Sequence, residues 1–155
     1  QRQMCIRDRL EAGNVIDLGM KIKNAIAKEV KIKHPNIAEM NFLYGTIFTF
    51  PPSNKNNHSK NICVFANGEV DRSPTGTGVS ARAAVHFARN EIKLNETIKI
   101  ESIIGSTFEV KVNEKIKIGP LNGVIPEVKG TANITGKNTF WIDSSDNIGE
   151  GFMLR

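Results

Sequence analysis

Asp71-Arg72-Ser73-Pro74-Thr75-Gly76-Thr77-Gly78 is the stretch of this 155-residue chain whose residue types and spacing suit chemistry. The apolar run Ile62-Cys63-Val64-Phe65 precedes it and reads as a buried strand; Val79 to Ile92 follows and reads as a helix. A strand, a glycine-rich turn and a helix start make an anion site. Glycine lets the backbone come close to a ligand, and the free N–H groups of the first helical turn point at it. Pro74 stiffens the turn, and Asp71 sets a carboxylate beside it. On residue type alone, Thr75 and Thr77 read as helix caps. Asp71 likewise reads as a turn residue bonding its own backbone.

Other elements must position that turn. In the helix after it, Val79, Ala81, Ala83, Ala84, Val85, Phe87 and Ala88 cover most of the circumference, and only Arg82, His86 and Arg89 form a polar stripe. A helix apolar nearly all round is expected to be buried and wrapped by its neighbours. The polar stripe is expected to satisfy polar groups inside the domain. Asp17 to Val30 reads as an amphipathic helix with Asp17 as its N-cap and Leu18, Ile22, Ile26 and Val30 on one stripe. His34-Pro35 ends it. Phe42 to Phe50 reads as a strand, and Pro51 to Asn61 as a mobile polar loop in which His58 is solvated. Short strands follow at Thr97 to Ser102, Val124 to Val128, Thr131 to Thr135 and Thr139 to Ile142. Phe108 to Val112 and Lys115 to Ile118 read as a hairpin turning at Asn113-Glu114. Long helices beside many short, mostly antiparallel strands give an α+β class.

Composition narrows the partners. The net charge is +5, but the lysines are spread over the chain without interleaved aromatics. That pattern reads as a solvated basic surface and not as a nucleic-acid footprint. Two cysteines far apart fit a reducing, cytoplasmic compartment, with Cys63 a buried, inert thiol. No apolar run approaches membrane-spanning length. No His, Cys, Asp or Glu group has metal-ligand spacing, and nothing suggests a bound nucleotide.

The central run resembles the second signature of the proline racemase family, Asp-Arg-Ser-Pro-Cys-Gly-Thr-Gly followed by Ser-Ala-Arg, matched here by Ser80-Ala81-Arg82. The likeness extends through Glu101 to Phe108, Ile125-Pro126-Glu127, Ile134-Thr135-Gly136 and Gly151-Phe152. Thr75 departs from the pattern, standing where a racemase or epimerase has its second catalytic cysteine. The family's first signature, Met-Cys-Gly-His-Gly, is absent. The resemblance therefore implies that residues 10–155 are the C-terminal half of a longer enzyme. Residues 1–9 fit nothing in the family pattern and read as a foreign head, with Cys5 no substitute for the missing thiol.

The resemblance implies one lobe of a two-lobed, diaminopimelate epimerase-like fold, its strands curled about a central helix and its active site in the cleft. The last strands are expected to cross to the other lobe. It implies a small amino-acid substrate and no cofactor or metal, and it allows a homodimer. Asp71 would hold the ring ammonium, the N–H groups of Gly76 and Thr77 the carboxylate, and Thr75 the catalytic position. A threonine there marks the members that dehydrate trans-3-hydroxy-L-proline. Two alternatives stand beside that activity: a proline racemase or 4-hydroxyproline 2-epimerase with an altered second residue, and a non-catalytic lobe that binds amino-acid carboxylates.

Overall fold

Alternation along one strand explains how the two helices are held. The computed structural model describes residues 6–149 and 151; Cys5 and Phe152 lie outside the described residues. Strand β2 (Ser59–Phe65) pairs antiparallel with β1 (Gly45–Phe50), setting Ile47 opposite Cys63 and Thr46 opposite Val64. Neighbouring side chains on a strand point to opposite faces. Ser59, Asn61 and Cys63 therefore share one face of β2, and Val64 lies on the other.

Helix α1 (Ile6–Glu29) packs on the Val64 face. A Cβ at Gly19 would stand 2.8 Å from that of Val64, so glycine lets the helix sit directly on the strand. The Gly19 carbonyl accepts the Thr46 hydroxyl at 3.0 Å, and Lys23 Nζ donates to the Ala66 carbonyl at 2.5 Å.

The opposite face carries α2 (Gly76–Ala88). Its Val79 and Ala83 join Ile92, Ile98, Ile100, Val110 and Val112 in the core, with Phe87, Phe108, Val124 and Val128 packed at the margin. Each fully buried valine or isoleucine contributes about 1.5–3 kcal/mol. Gly78 brings the helix down onto β1, for a Cβ there would meet Ile47 Cδ1 at 2.5 Å. The sheet is completed by β3 (Glu69–Val70), β4 (Ile98–Glu101), β5 (Thr107–Ile118) and β6 (Leu121–Lys129), in the order β1-β2-β4-β5-β6.

The edge of β2 away from β1 is shared. β4 pairs with it in parallel at Ser59 and Lys60, while β3 folds back antiparallel onto Val64 and Phe65. Between them the edge forks, and residues 71–75 run into the fork.

Several expectations need correction. Asp17 is not an N-cap, because α1 already begins at Ile6. Its sheet-facing side is Val15, Ile16, Gly19 and Met20, whereas Leu18, Ile26 and Val30 are exposed. The docking glycine, not the apolar stripe, sets the rotation. Helix α2 stops at Ala88, since Asn90 takes a left-handed φ of 58°. The described chain covers one side of α2, and on the other side Ala81, Val85 and Ala88 are exposed.

There is no hairpin at Asn113-Glu114. β5 runs through it with a bulge between Val112 and Glu114, and the turn comes at Gly119-Pro120, where Gly119 has φ 58°. Opposite the bulge lies Pro126, which has no N–H to give to the ladder. Thr131 to Thr135 and Thr139 to Ile142 are not strands, and Ile134, Phe140, Trp141 and Ile142 are exposed. Nothing in the described chain lies beside them to pair with.

The lysines of β4, β5 and β6 that face away from α2 are matched across the sheet. Lys99 meets Glu109 at 3.3 Å, Lys111 meets Glu127 at 3.2 Å and Lys129 meets Glu109 at 3.7 Å. Such cross-strand pairs suit a solvated face.

The loop between β1 and β2 is held, not loose. Glu101, only 3% exposed, accepts the N–H groups of Ser53 and Asn54 and the Asn57 amide, each at 2.8 Å. Hydrogen bonds from Asn54, Ser53 and Asn57 hold its carboxyl down to about 2. Because the folded value lies below the usual 4.5, the stabilisation is full above pH 4.5 and lost as pH falls towards about 2. Glu101→Gln should therefore be markedly less stable than the unmodified protein at neutral pH in urea unfolding. The gap should narrow steadily as the pH falls through that window. A gap independent of pH would contradict this account of the loop.

Candidate active site

The turn from β3 into α2 is built from local hydrogen bonds. Asp71 N–H donates to the Cys63 carbonyl at 3.1 Å, extending the β3 pairing by one residue. Asp71 Oδ1 then accepts Ser73 N–H at 2.8 Å, and Ser73 Oγ accepts Thr75 N–H at 3.0 Å. These are the side-chain turns that aspartate and serine form readily. The bland reading of Asp71 is thus realised, and its carboxylate keeps lone pairs free beyond those bonds.

Thr75 occupies the N-cap position of α2, and its carbonyl accepts Val79 N–H at 2.8 Å. Its hydroxyl does not cap the helix. Thr75 Oγ1 donates to Asp71 Oδ2 at 2.9 Å. Its backbone is left-handed, with φ 68° and ψ 104°. Ala66, Asn90 and Asn95 also have positive φ, but a β-branched residue there is a true outlier. Strain of this kind costs about 1–3 kcal/mol and persists where the surroundings over-determine it.

Because the Thr75 side chain turns away, the first turn of α2 is left without a cap. Among the described residues nothing accepts the N–H groups of Gly76 and Thr77. Both residues are exposed, and the space where Gly76 would carry a Cβ is open. Free N–H groups at the positive end of a helix favour an anion. The four residues singled out in the sequence, Asp71, Thr75, Gly76 and Thr77, therefore stand on one short stretch that runs from the loop into the first turn of α2. Asp71 is half-buried and Thr75 is 9% exposed.

The support beneath the loop was only partly visible in the sequence. Ser59 and Asn61, read as the end of a mobile loop, are buried on the α2 face of β2. Asn61 Nδ2 donates to the Pro74 carbonyl at 3.0 Å. Arg82 donates to Ser59 Oγ at 2.8 Å and to Asn61 Oδ1 at 2.7 Å, and stands 3.1 Å from His86 Nε2. His86 Nδ1 in turn meets Glu91. Arg82 and His86 thus satisfy polar groups inside the domain, as their stripe suggested. His58 is exposed, yet its ring lies edge-on to His86 at 4.9 Å; burial, then His86 and Arg82, hold its pKa below the usual value. The missed signal was the alternation Ser59, Asn61, Cys63, which extends the strand back through apparently loop-like residues.

Cys63 is buried under the turn, beside the Thr75 hydroxyl and Asp71. Burial pushes its thiol up, against the lowering effect of the Thr75 hydrogen bond. It remains a protonated packing residue. On the other side, Ser106 Oγ donates to the Arg72 carbonyl at 3.2 Å, tying the turn after β4 to the loop. The described residues contain no His, Cys, Asp and Glu cluster fit to hold a metal, and no helix long and apolar enough to cross a membrane.

The sequence profile of the family described as proline racemase matches residues 1–153. A trans-3-hydroxy-L-proline dehydratase of Colwellia psychrerythraea is 49% identical over 141 residues, covering 91% of this chain and 40% of that protein. A proline racemase of Clostridioides difficile is 37% identical, covering 93% of this chain and 43% of that protein. The crystal structure of a hydroxyproline epimerase from Agrobacterium vitis, with bound trans-4-hydroxy-L-proline, superposes with a TM-score of 0.75 at 29% identity. That match covers 91% of this chain and 40% of the other. The chain thus spans about two fifths of the length of its curated relatives.

The strain at Thr75 is open to test by two substitutions that both remove the hydroxyl. Thr75→Val keeps a β-branched residue at positive φ and leaves Asp71 Oδ2 without its donor. Thr75→Gly loses the same bond but relieves about 1–2 kcal/mol of left-handed strain, offset by about 0.5–1 kcal/mol of backbone entropy. Thr75→Gly should unfold in urea at a concentration no lower than Thr75→Val. A clearly more stable valine variant would mean that Thr75 carries no strain.

Proposed function

The chain belongs to the proline racemase family, and from that premise we propose that it supplies one wall of a trans-3-hydroxy-L-proline dehydratase. In this reading residues 10–155 form the C-terminal half of the enzyme, and the 40% coverage of its relatives supports that extent. The relatives are named as enzymes acting on proline or its hydroxylated forms. The observation that carries the reading is a hydroxyl, that of Thr75, where the family pattern has a thiol. It stands beside the free N–H groups of Gly76 and Thr77 and donates to Asp71 at 2.9 Å.

The chemistry follows from that hydroxyl. The substrate carboxylate accepts N–H bonds from Gly76 and Thr77, and Asp71 takes the ring ammonium. A base from the part of the enzyme beyond this chain removes the Cα proton. The charge left behind spreads into the carboxylate, where helix N–H groups stabilise it as it forms. In a racemase a thiol on the opposite face returns a proton, which suits a group whose pKa lies near ambient pH. A threonine hydroxyl is far too weak an acid for that task. The electron pair instead forms the Cα–C3 double bond as the C3–O bond breaks, and the hydroxyl leaves as water, its proton coming from solvent. The resulting enamine tautomerises to a pyrroline-2-carboxylate. Thr75 serves either as the hydrogen-bond donor to the leaving oxygen, its one O–H swinging from Asp71 once that carboxylate takes the ring ammonium, or as the spacer that admits it.

The full-length enzyme should convert trans-3-hydroxy-L-proline to the pyrroline and leave the configuration of L-proline unchanged in deuterated water. Thr75→Cys should lower dehydration and introduce epimerisation. Thr75→Ala separates the two roles: a loss of roughly a hundredfold or more marks hydrogen-bond assistance, and a small change marks a spacer. Rapid racemisation of proline by the unmodified enzyme, with no pyrroline from the hydroxylated substrate, would leave the isomerase reading in its place.

A further inference from the structure

We propose that Asn61 and Arg82 are positioning residues for Thr75, holding the Pro74–Thr75 peptide in the orientation that gives Thr75 its left-handed backbone. The proposal rests on the reading above that Thr75 stands at the leaving 3-hydroxyl, as donor or as spacer. The Pro74 ring fixes its own φ, so the direction of the Pro74 carbonyl decides how the next peptide plane lies. That carbonyl has one side-chain partner in the described residues, the Asn61 amide at 3.0 Å. Turning the plane over would break this bond and the Thr75 N–H to Ser73 Oγ bond of 3.0 Å on its other end. Both would have to go before Thr75 relaxed to a negative φ.

The amide's own orientation is dictated by Arg82. A guanidinium only donates, so the Asn61 atom 2.7 Å from it must be the carbonyl oxygen. The NH2 group is thereby turned to Pro74, which only accepts. Arg82 is fixed in its turn by Ser59 Oγ at 2.8 Å and by His86 Nε2 at 3.1 Å. Asn61 is 1% exposed, so no water competes for either end of the amide. A chain of hydrogen bonds thus runs from α2 through β2 to the peptide in front of the helix. Neither Asn61 nor Arg82 touches the open space before Gly76, so both act through Thr75.

A merely structural network and a positioning one differ in what they change. Cα deprotonation relies on a base outside this loop; loss of the 3-hydroxyl relies on Thr75. The test uses the full-length enzyme with Asn61→Asp, which keeps the shape and the bond to Arg82 but removes the donor to Pro74. In deuterated water, pyrroline formation is measured against deuterium entering Cα of unreacted trans-3-hydroxy-L-proline. Pyrroline formation should fall roughly tenfold to a hundredfold relative to exchange. A constant ratio, whether both rates fall together or neither changes, overturns the proposal. Arg82→Lys, which cannot reach both Ser59 and Asn61 at once, should shift the ratio in the same direction and serves if the first variant does not fold. If the unmodified enzyme yields no pyrroline, the dehydratase reading fails on its own. Crystal structures of the variants then decide the positioning claim: a Thr75 φ that has become negative supports it, and one still near 68° overturns it.

Discussion

A single peptide unit, the one joining Pro74 to Thr75, is where the demands of fold and site meet. Its carbonyl is taken by a buried amide and its N–H by Ser73, and the residue after it stands at φ 68°. Had Thr75 a relaxed backbone, it would be free to cap α2 in the ordinary way, and the helix N-terminus would be closed. Its side chain instead bonds Asp71, and the N–H groups of Gly76 and Thr77 stay free. An open helix end and a tethered hydroxyl are two results of one constraint.

The fork in the sheet makes that constraint affordable. β4 meets only the first two residues of β2, and β3 only the last two. The loop lies across the interval, where the next residues in line, Asn61 and Cys63, point up at it. Gly78 lets α2 sit close enough for Arg82 to reach down to the same strand, and Glu101 holds the preceding loop against β4. Site and core therefore share atoms, and changes in one are felt in the other.

What the sequence disclosed follows the range of the interactions. The turn rests on neighbours in the chain, and the eight-residue run displayed it directly; the helix after it begins at Gly76, three residues before the expected Val79, and the α+β class came from the long helices and short strands along the whole chain. The same run carried the family likeness. Asn61 was hidden because its importance lies in a bond to a carbonyl thirteen residues on, and its neighbours Asn54, Asn56 and Asn57 looked like loop. The rotation of α1 was hidden because a glycine marks its contact and a hydrophobic residue does not. The bulge at Asn113 mimicked a turn, while Gly119-Pro120 supplied the real one. The residues 131–142 have the alternation of strands but, among the described residues, nothing beside them to pair with.

Centrally, we propose that an open helix N-terminus holds one amino-acid carboxylate while a held threonine hydroxyl stands beside C3 of its ring. Removing the Cα proton flattens that carbon, so pyrrole-2-carboxylate is a stable mimic of the species formed. A crystal structure of the full-length protein with this ligand is the most direct measurement. The account predicts carboxylate oxygens within about 2.7–3.2 Å of the Gly76 and Thr77 nitrogens, with Thr75 Oγ1 on the C3 side of the ring. A ligand carboxylate bound to side-chain cations away from α2, with Gly76 and Thr77 untouched, would contradict it.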